Sequence, residues 1–162
     1  MGFIQKFIEQ SKTNNLGRVG FPKTYNDLSV RVSFGVGNAA KIPWIAFLKS
    51  PNKVTDGIYP VYLYYKEINK LILAYGLSET NTSSFEWNLS NKKSIKEWYN
   101  EKYGKNPYRY GDSFIMSVYD LDEDVDFEQM QKDLDKLIET YKELHFDNVV
   151  EENKSKYIID NQ

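Results

Sequence analysis

The chain has 162 residues, of which 41% are hydrophobic and 15% aromatic, and its formal net charge is -2. This length allows one domain with a substantial core, and the lack of cysteine excludes a disulfide scaffold and a thiolate metal site. No segment approaches the roughly 20 apolar residues of a membrane span and the N-terminus lacks a secretory signal, so we expect a cytoplasmic protein.

The first predicted element is an amphipathic helix over residues 3–12, where Phe3, Ile4, Phe7 and Ile8 recur at helical spacing. Strand-like runs rich in β-branched and aromatic residues follow in close order. Short connections favour antiparallel pairing, because parallel neighbours need a longer crossover. The four runs are Leu28–Phe34, Pro43–Leu48, Ile58–Tyr65 and Leu71–Tyr75.

The second half of the chain predicts two more helices. Ser94 and Glu97 have the spacing of a capping box, which predicts a helix over 94–103. A fifth strand is expected around 113–119, and a long apolar stripe predicts a final helix over 127–146.

These elements predict an α+β fold. The expected architecture is a mostly antiparallel curved sheet flanked by N-terminal, middle and C-terminal helices. We expect one domain over residues 1–146, followed by a polar tail or linker over 147–162.

Charge is distributed unevenly along the chain. Residues 1–118 have a net charge of +7, whereas residues 119–162 have a net charge of -9. A basic body with an acidic C-terminal segment indicates a surface for a polyanion beside a separately solvated segment. Ordinary variation of charge along a chain is the alternative explanation.

The glycine-rich stretch SFGVGNAAKIPW, residues 33–44, contains the spacing G-x-G-x-x-A of dinucleotide-binding loops. That motif needs a helix that begins inside it, so that helix N–H groups meet a pyrophosphate. Here Pro43 and a strand-like run follow, so no helix is expected. We interpret the stretch as a loop between two strands, with Asn38 and Lys41 able to reach a phosphate or a base edge.

The sequence offers no convincing catalytic set. It has one histidine, no cysteine and no P-loop motif. The acidic run 120–126 fails as a calcium loop, because Val125 and Gln131 stand where glycine and glutamate are required. We therefore expect no enzyme activity, no metal and no cofactor.

Aromatic and apolar residues alternate along the second and third predicted strands. Trp44 begins one face of the second strand, and Tyr59, Val61, Leu63 and Tyr65 share a face of the third. Two such faces side by side predict a pocket with flat, apolar walls. The alternative is that these residues belong to an ordinary core.

Five blocks of sequence, in this order and spacing, resemble the N-terminal DNA-binding domains of the McrB family. These domains are the recognition part of 5-methylcytosine-dependent McrBC restriction systems. The likeness extends from about Phe3 to Phe146. Its blocks are SFGVGN (33–38), IPWIAFL (42–48), GIYPVYLYYK (57–66), LILAYG (71–76) and YGDS (110–113).

The resemblance implies a domain that binds double-stranded DNA containing modified cytosine, 5-methylcytosine and related bases after a purine. It also implies that the modified base rotates out of the duplex into a protein pocket. By motif, Trp44, Tyr59 and Leu63 match the pocket positions, and Tyr110 is the expected fourth wall. In full-length family proteins an AAA+ GTPase module follows, and the McrC nuclease is the partner.

Further DNA contacts are expected around this pocket. Val36 stands between the two glycines, where a family member has an aromatic residue. The expected loop and phosphate contacts are Ser33, Val36, Asn38, Lys41, Lys66 and Arg109.

Three other functions remain open at this point. The domain could read another mark such as N6-methyladenine, or a fixed unmodified sequence. It could also be a protein-interaction domain whose aromatic residues all belong to the core.

Overall fold

In a computed structural model of the protein, residues 2–49, 57–80 and 86–160 are described, with side chains up to residue 144. The described residues form three α-helices and six strands, and a 3₁₀ turn over Lys66–Ile68 joins two of the strands. The elements are α1 (Phe3–Ser11), β1 (Thr24–Tyr25), β2 (Leu28–Ser33), β3 (Trp44–Leu48), β4 (Ile58–Tyr65), β5 (Lys70–Leu77), α2 (Ile95–Tyr103), β6 (Phe114–Asp120) and α3 (Phe127–Asp160).

The six strands form one open, curved sheet in the order of the sequence, and every neighbouring pair is antiparallel. The predicted α+β class, the antiparallel sheet and the three flanking helices are thereby confirmed. The two-residue strand β1 was not predicted, because Thr24 and Tyr25 lie in a turn-like segment too short to show an alternating pattern.

Strand β4 lies at the centre of the sheet, and all eight of its residues are buried. Tyr62 faces the side on which α3 packs, and its hydroxyl donates a 2.6 Å hydrogen bond to the Met130 carbonyl of that helix. Its neighbours in sequence, Val61 and Leu63, point to the opposite side because side chains alternate along a strand. On that opposite side Tyr65 contacts the Tyr99 ring of α2, with 6.0 Å between centroids.

Helix α2 begins and ends where the sequence predicts. The Glu97 backbone N–H donates to the Ser94 side chain at 3.0 Å, and Gly104 adopts a left-handed conformation after the last turn. Helix α3 begins at the predicted Phe127 but continues to Asp160, past the expected end at residue 146. The sequence from 147 to 160 has no glycine or proline, so nothing in it terminates the helix.

The boundary of the domain at residue 146 stays a prediction, and residues 161–162 lie outside the described part of the chain. The described helices also include none that is both long and apolar enough to cross a membrane. Even α3, at 34 residues, has a charged residue in every turn of its sequence.

The glycine-rich stretch forms a loop between β2 and β3, and β3 follows it directly, which confirms the interpretation drawn from Pro43. Gly35 has a φ of 121°. A Cβ there would lie 2.1 Å from the Asn38 carbonyl oxygen, because the loop is closed by a 2.8 Å hydrogen bond from the Ala40 N–H to the Phe34 carbonyl. Glycine at 35 is therefore required by the shape of the loop.

We predict that Gly35→Ala destabilises the fold by about 2 kcal/mol or more, because it adds backbone clashes to an unfavourable φ. Gly37→Ala is the matched control. Its φ of 78° is also left-handed, but a Cβ there would meet nothing within 4 Å. Its expected cost is about 1 kcal/mol, measured by urea unfolding. Equal losses of unfolding free energy in the two variants would contradict the conclusion that the loop requires glycine at position 35.

Several tyrosine hydroxyls are buried, and burial raises their pKa. Desolvation, followed by the hydrogen bond to Asp135, raises the pKa of Tyr25 to about 12. Burial raises the pKa of Tyr62 well above its ordinary value. Unfolded tyrosines ionise near pH 10, so the stability from keeping these phenols protonated is complete below pH 10 and is lost as the pH rises further.

We predict that the free energy of unfolding falls by about 1.4 kcal/mol per pH unit above 10 for Tyr62 alone. Urea unfolding at pH 9, 10 and 11 measures this slope. Tyr62→Phe should lower stability at pH 7 by about 1 kcal/mol, because the hydrogen bond to Met130 is removed. The same variant should have a flatter dependence above pH 10, and an unchanged slope would rule out Tyr62 as a cause.

Candidate functional site

The four side chains expected to form a pocket line one small cavity. Trp44 lies opposite Leu63 in the β3–β4 register, and Tyr59 is four residues before Leu63 on the same face of β4. Tyr110 comes from the loop between α2 and β6. Val61, Leu77 and Ser113 complete the lining.

The cavity is closed in this conformation. Its free volume is about 20 Å³, which is room for one water molecule and far less than a nucleobase needs. Trp44 and Tyr110 both line the cavity; burial raises the pKa of the Tyr110 phenol, and the Trp44 indole lies close enough to the Tyr110 hydroxyl to lower that pKa in part. Tyr110 also has a φ of 65°, a conformation that is unfavourable for a bulky side chain.

The loop that carries Tyr110 is held in place by Glu79. One carboxylate oxygen of Glu79 accepts a 2.9 Å hydrogen bond from Arg109 Nε and forms an ion pair with a terminal nitrogen of the same guanidinium at 2.8 Å. The other oxygen accepts from the Tyr110 backbone N–H at 3.1 Å. On the inner side, the Tyr65 hydroxyl donates to the Arg109 carbonyl at 2.8 Å. Residues 109–110 are thus fixed from both sides.

The phenols in the cavity wall are neutral at physiological pH. Burial, reinforced by Tyr110 and the Glu79 carboxylate, raises the pKa of Tyr59 to about 12. Burial is also the main reason why the pKa of Tyr110 lies above its usual range. The wall therefore presents aromatic faces and neutral hydrogen-bonding groups rather than a charge.

A groove of about 460 Å³ lies on one side of the glycine-rich loop. We call it the lysine–tyrosine groove, because Lys41, Lys66, Tyr65, Tyr99 and Tyr108 line it together with Ile42 and Glu67. The Lys41 ammonium lies 4.4 Å from the centroid of the Tyr108 ring. Two of the predicted phosphate contacts, Lys41 and Lys66, therefore share one groove.

A second groove, of about 450 Å³, lies beside Trp44. We call it the arginine groove, because Arg18 and Arg31 line it with the predicted contacts Ser33 and Val36. Trp44 lines both this groove and the closed cavity, so its ring forms a partition between them. Val36 is 96% exposed and available to an approaching ligand.

The two remaining predicted contacts differ in their surroundings. Asn38 is exposed on the loop between the two grooves. Arg109 is the neighbour in sequence of Tyr110 in the cavity wall, but its guanidinium is bound by Glu79, and this hydrogen bond raises the pKa of Arg109 further. A ligand that contacts Arg109 has to compete with that carboxylate.

Four residues of this region were not found from the sequence. Alternation along β2 places Arg31 on the same face as Ser33, so Arg31 could have been predicted from the alternating pattern. Tyr108 could have been found as a neighbour of the Y-G-D-S block. Arg18 and Glu79 gave no signal, because each reaches the site through contacts with residues distant in sequence.

Comparison with known proteins identifies the family of the chain. Residues 4–103 match a family model described as the MrcB-like, N-terminal domain. The chain is also 37% identical over 143 residues to the Type IV methyl-directed restriction enzyme EcoKMcrB subunit of Escherichia coli strain K12. That match covers 86% of this chain but 31% of the relative, so the chain spans about a third of the relative's length. Because the family model matches more than half of the chain, the resemblance is confirmed and the chain belongs to the family of McrB N-terminal domains.

Proposed function

We propose that this domain binds double-stranded DNA at a modified cytosine and holds the modified base, rotated out of the duplex, between Trp44, Tyr59, Leu63 and Tyr110. The observation that carries the proposal is the convergence of these side chains on one cavity. They come from two strands and a distant loop, and grooves with basic side chains lie beside the cavity.

The chemistry of the walls suits a flipped base. Removing a base from the stack costs a few kcal/mol, and stacking on an aromatic side chain recovers about 1–3 kcal/mol. A buried methyl group adds about 0.8 kcal/mol. Selection of a modified cytosine therefore also needs polar contacts to the base. The cavity wall offers four polar groups for this: the Trp44 N–H and the hydroxyls of Tyr59, Tyr110 and Ser113.

Entry of a base requires the cavity to open. Because the free volume is about 20 Å³, Tyr110 has to move away from Trp44 before a base can enter. The Glu79 contacts to Arg109 and Tyr110 oppose that movement. A DNA phosphate that draws Arg109 away from Glu79 would release the loop, so binding of the backbone and opening of the cavity are coupled.

The charges are arranged to orient the duplex. Arg18, Arg31, Lys41 and Lys66 line the two grooves on the cavity side of the sheet. The acidic helix α3 packs on the other side, where Tyr62 contacts Met130. The sheet thus separates the basic surface from the acidic one, and DNA approaches the side that carries the cavity.

The proposal extends to the biological context. The relative is named as a subunit of a methyl-directed restriction enzyme, and this chain matches less than a third of it. We infer that the domain is the recognition module of a modification-dependent restriction system. An AAA+ GTPase module and the McrC nuclease would supply the remaining activities, whereas this domain selects the DNA.

We predict that Trp44→Ala removes the preference for a methylated over an unmodified duplex. Weak binding that falls steeply with salt should remain, because the basic grooves are intact. Fluorescence anisotropy with matched duplexes measures both properties, and thermal unfolding shows that the variant is folded. Trp98→Ala on α2, outside the cavity, is the control and should keep the preference. Equal weakening with both duplexes in folded Trp44→Ala would count against the pocket.

We predict that Glu79→Gln binds a methylated duplex about two- to fivefold more tightly, because a partly exposed ion pair that holds the cavity closed is weakened. Glu101→Gln is the charge-matched control, since it removes the ion pair between Glu101 of α2 and Lys93, which precedes that helix, and touches neither Arg109 nor Tyr110. The gain should exceed that of the control and should be larger for methylated than for unmodified DNA. Identical gains in both variants would show that only net charge matters.

A further inference from the structure

The lysine–tyrosine groove lies directly beside the closed cavity. Leu63 of the cavity and Tyr65 of the groove share one face of β4 and are two residues apart, about 7 Å along the strand. The loop after α2 also runs from the cavity to the groove, because Tyr110 lines the cavity and Tyr108 lines the groove. A 2.8 Å hydrogen bond from the Tyr65 hydroxyl to the Arg109 carbonyl holds the loop against the strand at this point.

The groove presents an aromatic face to solvent. Tyr108 is 65% exposed, although it is large and apolar. One face is already in contact with a cation, since the Lys41 ammonium lies 4.4 Å from its centroid. An exposed aromatic ring beside a lysine is the combination with which proteins stack a base and hold its phosphate.

The electrostatics of the groove favour an anion. Neither Lys41 nor Lys66 forms an ion pair within the described part of the chain, so both charges are available. The acidic residue in the lining, Glu67, is paired with Lys105 at 3.2 Å. The groove volume of about 460 Å³ is ample for one nucleotide, in contrast to the closed cavity.

We propose that the lysine–tyrosine groove is a second nucleotide site, which binds the nucleotide adjoining the modified cytosine on the same strand. Its base or sugar packs on Tyr108, and its phosphate lies between Lys41 and Lys66. This inference rests on the proposed function, because the adjoining nucleotide reaches the groove only when the modified base occupies the cavity.

The first experiment is photo-cross-linking of the wild-type chain. Duplexes contain one 5-methylcytosine and a single 5-iodouracil, placed in turn at each of three positions on either side of it. Cross-linked peptides are identified by mass spectrometry. We expect a cross-link to Tyr108 from the position next to 5-methylcytosine on the same strand. Cross-links that form elsewhere in the domain but never at Tyr108 would overturn the inference.

The second experiment compares Tyr108→Ala with Tyr108→Phe by fluorescence anisotropy on a methylated duplex. Removal of the ring should weaken binding about tenfold, since one stacked base is worth about 1–3 kcal/mol, whereas phenylalanine should bind as the wild type does. Binding to the unmodified duplex should change little in either variant, because the adjoining nucleotide reaches the groove only when the modified base occupies the cavity. Because Tyr108 is largely exposed, truncation leaves the core intact.

The lysines are tested by salt dependence. Changing both Lys41 and Lys66 to alanine should reduce the slope of log K against log salt by about 0.9 for each phosphate that the variant no longer neutralises, whereas Tyr108→Ala should leave it unchanged. Failure of the proposed function would appear as no preference for methylated DNA in the wild type. Failure of this inference alone would appear as a normal preference together with unchanged binding by Tyr108→Ala.

Discussion

The arrangement of this domain depends on the burial of β4 on both faces. All eight of its residues are buried, so alternation along one strand assigns each side chain to one of two sides. Tyr62 and its neighbours on one side bind α3 and complete the main core. Tyr59 and Leu63 on the other side form the floor of the cavity. The register with β3 then places Trp44 beside Leu63, and a shift by one residue would turn the floor into core.

Closure of the cavity follows from contacts outside the sheet. Tyr110 has an unfavourable backbone conformation, and such a conformation persists only when its surroundings impose it. Glu79 and Tyr65 supply that constraint through hydrogen bonds to residues 109–110. The contacts that hold Tyr110 in the cavity wall also pair the Arg109 guanidinium with Glu79. Movement of Tyr110 is therefore linked to whether Arg109 stays paired with Glu79. Under the proposed function, this link would let the cavity open where a polyanion is bound.

The glycine-rich loop has a structural requirement that explains its composition. Glycine is required at position 35 because a Cβ there would clash with the Asn38 carbonyl oxygen, whereas the space around Gly37 is open. The loop separates the lysine–tyrosine groove from the arginine groove, with Lys41 lining one and Val36 the other. Its resemblance to a dinucleotide motif is therefore a consequence of a tight turn between two strands, without the helix N-terminus that a pyrophosphate needs.

The sequence by itself determined the three helices, five of the six strands described, their antiparallel pairing and the residues that share the Trp44 side. These properties depend on the spacing of residues that are close together in the sequence, so the local pattern of apolar and polar residues is enough to predict them. Only the tertiary structure decided that the cavity is too small for a base, that Arg109 is paired with Glu79 and that Arg18 lines the groove beside Trp44. Glu79 meets Arg109 across 30 residues of sequence, and Tyr110 meets Trp44 across a still longer separation. Such contacts are set by the path of the whole chain, because no local periodicity specifies which distant side chain arrives beside another.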